Sequence, residues 1–526
     1  MYIIFDTETT GLPRDFNAPI TDVDNWPRCI QIAWQLHDEM GHVIAHEDYL
    51  IKPDGFDIPY DSERIHGIST LLAAEKGVEL SFVLEKFNQA LGKAKFVVGQ
   101  NVGFDLKVMG AEFYRANTET ALNSMAVLDT CTEVTADLLK IPGGRGGRFK
   151  LPTLTELHQY LFGVPFGEAH NATADVEATT RCFFELIRKN VYTESELQQA
   201  SGYLQQFKEV NPKPFELIGL KHINLKKASE DIRKKLEAAG VIEGEVEETI
   251  SADVQKAFDT AVFAHLHNHT QFSVLQSTID INAMVQKSAA EKMSAIAMTD
   301  HGNMMGAFKF VSAIIDHNKN VKKTNEAAIE NGEEPSQNEI KPIVGCEFFV
   351  CENHKDKSKK DNGYQIVLLA KNKNGYHNLA KLASIASIDG FYYVPRIDKE
   401  ILLQYKEDVM VLSGNLYGEI PGKILNIGEK QAEEALLWWK EHFKDDFYLE
   451  IMRHNQEDED RVNKTLIAFA RKHQIKLVAT NNTYYLEKSD ANAHDILLCV
   501  KDGEKQATPI GLGRGYRYCL PNKEYY

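Results

Sequence analysis

Residues 2–9 read YIIFDTET, and this stretch decides how the N-terminal third of the chain folds. The apolar run 2–5 predicts a short buried strand, and Asp6 and Glu8 follow at its end. Side chains two residues apart on a strand point to the same face of the sheet, so the two carboxylates can reach one spot. We therefore expect an acidic site where this strand ends.

Strand-like and helix-like runs alternate around this stretch up to about residue 190. Further strands are predicted at 30–37, 43–51 and 96–98, and helices at 80–91, 103–116, 153–162 and 172–189. This alternation predicts an α/β domain with a mixed sheet.

A second alternating pattern begins after residue 261. The predicted strands are 262–266, 295–298, 343–350, 365–370, 409–412, 448–451 and 477–479. Because helical runs separate most of them, these units predict a closed, mostly parallel barrel. Residues 193–260, with an Asn-Pro-Lys-Pro stretch and an acidic run, predict a partly helical connector, and a packed small helical module is the alternative.

Composition excludes several classes of protein. The chain has 526 residues and a net charge of 59 − 76 = −17, so any contact with nucleic acid must be local or assisted by metal ions. Its seven cysteines include no CxxC pair, which argues against a disulfide framework and a zinc finger. The sequence has neither a membrane-length apolar run nor a secretory signal, so we expect a cytoplasmic protein without membrane contact.

Two further carboxylates and a histidine accompany the first acidic pair. Asp105 begins the helix after strand 96–98, Asp175 lies in the first turn of helix 172–189, and His170 precedes that helix. Clustered carboxylates repel each other and need cations, and oxygen ligands suit Mg²⁺ or Mn²⁺. Two such ions can clamp a phosphodiester while a neutral histidine accepts a proton from water. The alternative is that these residues are surface acids and a helix cap.

The motifs D-x-E, N-x-x-F-D and H-x-A-x-x-D resemble the DEDDh family of 3′–5′ exonucleases over residues 1–192. The segments IHGI at 65–68 and KLPTL at 150–154 also match that family. The resemblance implies an RNase H-like fold and two Mg²⁺ or Mn²⁺ ions held by Asp6, Glu8, Asp105 and Asp175, with His170 as the base. It also implies that the 3′-terminal nucleotide is contacted by Thr7, His66 and Asp61.

Several histidines lie at or near the ends of the predicted strands in the second half of the chain. His265 and His267 share a face near the first strand, His301 ends the next strand, and Glu347 lies on the third. Since barrel sites gather at the carboxyl ends of strands, these residues indicate an actual or ancestral metal site.

The segments HLHNH at 265–269, TDHG at 299–302, LSG at 412–414 and VATN at 478–481 resemble the polymerase-and-histidinol-phosphatase (PHP) domain of bacterial DNA polymerase III α subunits, over residues 261–526. The resemblance implies a distorted seven-stranded (β/α)7 barrel with up to three metal ions.

The sequence departs from that family at most of its ligand positions. Neutral residues replace acidic, histidine or cysteine ligands at Gln276, Gln365, Asn415, Asn482 and Tyr484, and the retained ligands are His265, His267, His301 and Glu347. Amide oxygens bind Zn²⁺ or iron weakly, and Gln and Asn can hydrogen-bond the remaining histidines instead. We therefore expect no trinuclear site, and either no ion or one weakly held ion on His265, His267 and Glu347.

Together the two halves predict a metal-dependent 3′–5′ proofreading exonuclease fused to the N-terminal PHP domain of a replicative polymerase, with the PHP domain as an inactive scaffold. We expect no polymerase activity in this chain, because no later segment offers the paired aspartates of a palm domain, although a longer protein would have it. The resemblance implies DNA 3′ ends, the rest of the polymerase, the sliding clamp and replisome subunits as partners. The alternatives are a docking module without activity and a phosphoesterase in the PHP domain.

Overall fold

The computed structural model describes residues 1–503 and 506, except 144–147, 167–169, 217, 221–222, 240–262 and 335–337. Within it the chain divides into two compact units, Met1–Val246 and Glu247–Tyr526.

A five-stranded mixed sheet forms the centre of the first unit. Its strands are β1 (Tyr2–Thr9), β2 (Cys29–His37), β3 (Val43–Leu50), β4 (Phe96–Gly99) and β5 (Ala126–Asp129). They pair in the order β3-β2-β1-β4-β5, with β2 antiparallel to both neighbours and β1, β4 and β5 parallel. The predicted mixed sheet is confirmed. Strand β5 was not predicted, because this edge strand is only partly buried and its sequence AVLD shows no clear apolar pattern.

Helices cover both faces of this sheet. They are α1 (Tyr60–His66), α2 (Thr70–Lys76), α3 (Leu80–Leu91), α4 (Gly103–Arg115), α5 (Glu133–Leu139), α6 (Leu154–Phe162), α7 (Ala172–Arg188), α8 (Tyr203–Val210) and α9 (Leu225–Ala238). On β1, Ile3 and Phe5 pack with α3 and α4, whereas Tyr2 and Ile4 pack with α7. The period of two therefore directs Asp6 towards the α7 side and Thr7 towards the α4 side.

The predicted connector 193–260 is in large part packed into the first unit. Leu197, Tyr203 and Phe207 are buried in the same cluster as Tyr2 and Ile4 of β1. Helix α9 packs against α2. The connector therefore includes structured residues up to Ala238, and its part at 240–262 lies outside the described residues.

Seven strands form the sheet of the second unit. They are β6 (Ala295–Met298), β7 (Lys341–Cys351), β8 (Tyr364–Ala370), β9 (Arg396–Asp398), β10 (Val409–Leu412), β11 (Phe447–Ile451) and β12 (Lys476–Ala479). The order is β12-β11-β10-β8-β7-β6, with β9 pairing β7. Strand β8 runs antiparallel to β7 and β10, and the other pairs are parallel. The predicted seven-stranded, mostly parallel architecture is confirmed.

The prediction of a first strand at 262–266 is wrong for the described residues 263–266. The backbone of His265 accepts one hydrogen bond from Ala297 of β6 (2.9 Å). The side-chain amide of Asn268 donates to the backbone carbonyls of His265 (3.0 Å) and Ala297 (2.9 Å). It thereby occupies acceptors that the hydrogen-bond ladder of a regular strand would use. Asn268 also bridges to Thr483 beyond β12, so an irregular segment joins the two edges of the sheet. The seventh strand is β9 instead.

The helices of the second unit lie between its strands. They are α10 (Ile281–Ala290), α11 (Ala307–Glu330), α12 (Lys373–Ile388), α13 (Lys399–Gln404), α14 (Glu419–Asn426), α15 (Glu429–Phe443), α16 (Glu457–His473) and α17 (Ala491–Asp502). Among the described residues, none of the helices has the length and apolar character that crossing a membrane requires.

Candidate active site and candidate metal centre

Three of the predicted carboxylates meet at the end of β1. Ligand oxygens of Asp6, Glu8 and Asp175 all lie within 4.8 Å of one another. Asp6 and Glu8 share the face of β1 that packs against α7, and Asp175 lies in the first turn of α7. The alternation of the strand and the start of the helix thus bring together residues that are about 170 positions apart.

Asp105 lies beside this group and is held by Thr7. Its Oδ1 accepts hydrogen bonds from the Thr7 backbone N–H at 3.1 Å and from the Thr7 hydroxyl at 2.6 Å. Both side chains are buried. Thr7, predicted to contact substrate, is therefore engaged with the fourth carboxylate in this structure.

Burial and mutual repulsion make these carboxyls weak acids. Burial is the largest cause, and it raises the pKa of Asp105 and Asp175 to about 7. The pKa values of Asp6 and Glu8 are raised well above their usual range by burial and by the neighbouring carboxylates. A site that holds four carboxylates this close needs protons or cations to balance them.

His170 adjoins the carboxylates through its backbone. Its N–H donates to Asp175 Oδ2 at 3.0 Å, and its side chain is exposed. The residue has φ of 70°, a left-handed conformation that costs a non-glycine residue free energy and that clusters at functional sites.

His66, at the last turn of α1, is a buried neutral histidine. Burial lowers its pKa to about 4, a contact with the Thr9 backbone opposes this shift, and neighbouring His170 lowers the pKa further. The Ile68 N–H donates to Nδ1 at 3.0 Å, so the ring proton is on Nε2. Asp61, the other predicted substrate contact, forms an ion pair with Arg64 at 3.5 Å.

Sequence reasoning missed Asp129, at the end of β5. Its carboxylate accepts hydrogen bonds from the N–H groups of Asn101 (2.8 Å), Val102 (3.0 Å) and Cys131 (2.7 Å). It therefore fixes the turn that leads into α4, and its charge helps to raise the pKa of Asp105. Only its place at the end of a strand neighbouring β4 could have indicated this role.

The second unit has a buried centre around Glu347. The carboxylate lies 3.3 Å from His267 Nε2, 3.6 Å from His269 Nε2 and 2.6 Å from His301 Nδ1. The residues whose ligand atoms lie within 4.8 Å of one another here are His267, His269 and Glu347. The structure thus brings His269 to this group in the place where the sequence suggested His265.

Glu450 of β11 is a second carboxylate that sequence reasoning missed. It lies 2.7 Å from His267 Nδ1 and accepts a hydrogen bond from the Gly414 N–H at 3.1 Å. Burial lowers the pKa of His267, but Glu450 and Glu347 outweigh it and raise that pKa to about 10. Burial raises the pKa of Glu347, but His301 and His267 bring it well below its usual range. A protonated His267 therefore lies between two carboxylates.

The substituted positions surround this centre. Asn482 Oδ1 accepts a hydrogen bond from His269 Nε2 at 2.9 Å, and the Tyr484 hydroxyl is hydrogen-bonded to His301 Nε2 at 2.9 Å. Asn415 donates to Gln365 Oε1 at 2.8 Å. All five substituted residues line one cavity of about 170 Å³: Gln276, Gln365, Asn415, Asn482 and Tyr484. Asn482 thus hydrogen-bonds a histidine of this centre, and the absence of a metal there stays a prediction.

Comparison with known protein families gives two matches along the chain. Residues 3–183 match the family model described as Exonuclease, and residues 265–454 match the model of the PHP domain. The two matched segments contain the carboxylate cluster and the Glu347 centre respectively.

The curated relatives are named DNA polymerase III subunit alpha and match the PHP region. The relative from Borreliella burgdorferi is 39% identical over 249 residues, which is 47% of this chain and 20% of the relative. The one from Thermus aquaticus is 36% identical over 271 residues, 50% of this chain and 20% of the relative. The chain thus spans about a fifth of the length of these relatives.

A solved structure of an E. coli ExoI–ssDNA complex with bound zinc ion has 24% sequence identity to this chain. The match covers 36% of this chain and 40% of the ExoI chain, with a TM-score of 0.29.

Proposed function

We propose that this chain, which carries an exonuclease domain and a PHP domain, removes nucleotides from DNA 3′ ends by metal-dependent hydrolysis. The observation that carries the proposal is the carboxylate cluster, in which Asp6, Glu8 and Asp175 meet and Asp105 lies beside them. Side chains that raise one another's pKa in this way are poorly suited to a purely structural role, since each adds to the repulsion.

The donor set suits Mg²⁺ or Mn²⁺. All four candidate ligands are carboxylates, and hard oxygen ligands are the ones these ions prefer. Two ions held by Asp6, Glu8, Asp105 and Asp175 would supply the positive charge that stabilises a phosphodiester under attack. They would also remove the repulsion that raises the pKa of these groups.

His170 and His66 have different roles in the proposed reaction. The exposed imidazole of His170 accepts a proton from the attacking water, next to Asp175. His66 stays neutral near pH 7 and offers a hydrogen on Nε2, with which it orients the 3′-terminal nucleotide. Thr7 and Asp61 complete the contacts with that nucleotide.

We infer that the PHP domain is a scaffold without hydrolytic activity. Protonated His267 lies between Glu347 and Glu450 and offsets part of their charge, and neutral side chains hold the other two histidines of the centre. At most one weakly held ion binds at His267, His269 and Glu347. We also propose that the chain acts in a cytoplasmic replicative polymerase, with the sliding clamp and replisome subunits as partners. The support is that the curated relatives it matches are named DNA polymerase III subunit alpha.

Nucleotide release from 3′-labelled DNA tests the proposed activity. The 526-residue chain is given single-stranded DNA or a primer with a mismatched 3′ end, in Mg²⁺ with or without EDTA. We expect release in Mg²⁺ only, and a loss of at least about 10³-fold in Asp6→Ala, because a metal ligand contributes several kcal/mol to the transition state. The control is Asp54→Ala, which removes an exposed aspartate of the same unit. Release that survives EDTA or Asp6→Ala contradicts the proposal, and no release from the wild type favours a docking module.

A further inference from the structure

Helix α9 belongs to the predicted connector, yet it packs on the part of the first unit that carries His66. Its residues Leu225 and Ile232 are 6% and 7% exposed. They lie in one apolar cluster with residues of β2, α2 and the segments around them, namely Ile30, Ile58, Ile68, Leu72 and Ala73. The ion pair between Arg233 and Glu63 of α1, at 3.1 Å, adds a contact at the surface.

Ser229 is the polar contact at the centre of this interface. Its hydroxyl donates to the Gly67 carbonyl at 2.7 Å and accepts a hydrogen bond from the Ser69 N–H at 3.0 Å. The side chain is 5% exposed, so both bonds are shielded from water. One buried hydroxyl thus connects the two ends of the turn that directly follows His66.

The turn itself is fitted to the helix. Gly67 has φ of 77° and ends α1 in a left-handed conformation that suits glycine. A Cβ at this position would lie 2.7 Å from the Lys226 backbone nitrogen, so the helix approaches the turn too closely for any other residue. Within the turn, the Ile68 N–H donates to His66 Nδ1 and so fixes both the ring orientation and its tautomer.

The chain preceding α9 also contacts the other histidine-bearing turn. The side-chain amide of Asn171, the residue after His170, donates to the Ile223 carbonyl at 3.4 Å. Asn171 is at the same time the N-cap of α7, where it accepts the Thr173 N–H at 3.1 Å. Further along α7, Arg181 donates to the Phe215 carbonyl at 2.6 Å. Phe215, Ile223 and α9 therefore contact the elements that carry His66 and Asp175.

We propose that Ser229 is a positioning residue of the nuclease site, which acts through the Gly67–Ser69 turn to hold His66 against the 3′-terminal nucleotide. Helix α9 is then a part of the exonuclease domain, beyond the residues 3–183 that match the exonuclease family. The proposal rests on the proposed function, since it assigns Ser229 a role only if His66 binds the DNA end.

Steady-state kinetics on single-stranded DNA separates this role from a merely structural one. Loss of a positioned binding contact raises KM and leaves kcat nearly unchanged. In Ser229→Ala we expect KM to rise about five- to tenfold, the effect of one lost buried hydrogen-bonding partner, with kcat within about twofold of the wild type. Ser81→Ala, which removes an exposed serine hydroxyl from α3, is the matched control and should leave both constants unchanged.

A double-mutant cycle with His66→Ala tests the route of the effect. If Ser229 acts through His66, the double variant has the KM of His66→Ala alone, because there is no imidazole left to position. An additive effect, or a wild-type KM in Ser229→Ala, overturns the proposal. A lower kcat with an unchanged KM, accompanied by a lower melting temperature, also overturns it. A wild-type protein without EDTA-sensitive release instead refutes the proposed function itself. If Ser229→Ala does not fold, Ser229→Cys is used, whose weaker donor should raise KM to a smaller extent.

Discussion

Both units gather buried ionisable side chains where strands end, but they balance the charge in opposite ways. The first unit brings Asp6, Glu8 and Asp175 together with Asp105 beside them, and burial and repulsion raise the pKa of all four. The second unit places Glu347 among histidines, so that the pKa of the carboxyl falls well below its usual range.

The difference shows how the two sites relate to metal ions. At the first site burial and neighbouring carboxylates raise the pKa of the acidic groups, so Mg²⁺ or Mn²⁺ would relieve the repulsion between them. The second centre already contains a cation, since His267 has a pKa of about 10 and lies between Glu347 and Glu450. A divalent ion there would have to displace that proton and the hydrogen bonds of Asn482 and Tyr484.

Removal of the proposed base, His170, should strongly lower the rate of nucleotide release. The change affects the site in the first unit and leaves the Glu347 centre of the second unit intact. We expect His170→Ala to lower the rate of nucleotide release about 10²–10⁴-fold, the usual contribution of a general base. His46→Ala, which removes an exposed histidine from β3, is the control. Quenched-flow assays under single-turnover conditions measure the rate of nucleotide release. An unchanged single-turnover rate in His170→Ala would show that another group accepts the proton.

Breaking the Glu347 centre should destabilise the second unit without slowing nucleotide release. Glu347→Ala leaves buried His267 and His301 without their shared carboxylate, and the removal of one partner from a buried ion pair typically costs about 3–5 kcal/mol. Chemical denaturation measures the change in the free energy of unfolding. Glu434→Ala, at an exposed position of α15, provides the comparison. Stability unchanged in Glu347→Ala would mean that the histidine–glutamate network carries little free energy.

The motifs in the sequence identified the two sites because the spacing within each motif is local. The alternation of Asp6 and Glu8, and the position of Asp175 in the first turn of a helix, follow from strand and helix geometry alone. Asp129 and Glu450 escaped detection, and the helix expected in the connector was not linked to the site, because these roles depend on pairings between distant parts of the chain. The strand expected at 262–266 failed for a similar reason, since the Asn268 side chain takes up acceptors of a regular ladder.

The pH should change the melting temperature of the first unit, an effect smaller than the preceding ones. Asp105 and Asp175 have pKa values of about 7, raised from 3.8. Carboxyls with a raised pKa stabilise the folded state fully below the unfolded pKa, and this contribution is lost as the pH rises through the folded value. In EDTA, the melting temperature of the first unit should therefore fall between about pH 4 and pH 8, and Mg²⁺ should raise it more at pH 8 than at pH 5. Asp175→Asn should flatten this dependence, and a melting temperature indifferent to Mg²⁺ at pH 8 would argue against ion binding by the cluster.

Calorimetric titration with Mn²⁺ tests most directly whether only the carboxylate cluster depends on divalent ions. The titration compares the wild-type chain, Asp6→Ala and Glu347→Gln. We predict two bound ions in the wild type, the same two in Glu347→Gln, and a loss of this binding in Asp6→Ala. Two or three tightly bound ions that persist in Asp6→Ala and disappear in Glu347→Gln would contradict this prediction, because the second unit would then be the metal centre of the chain.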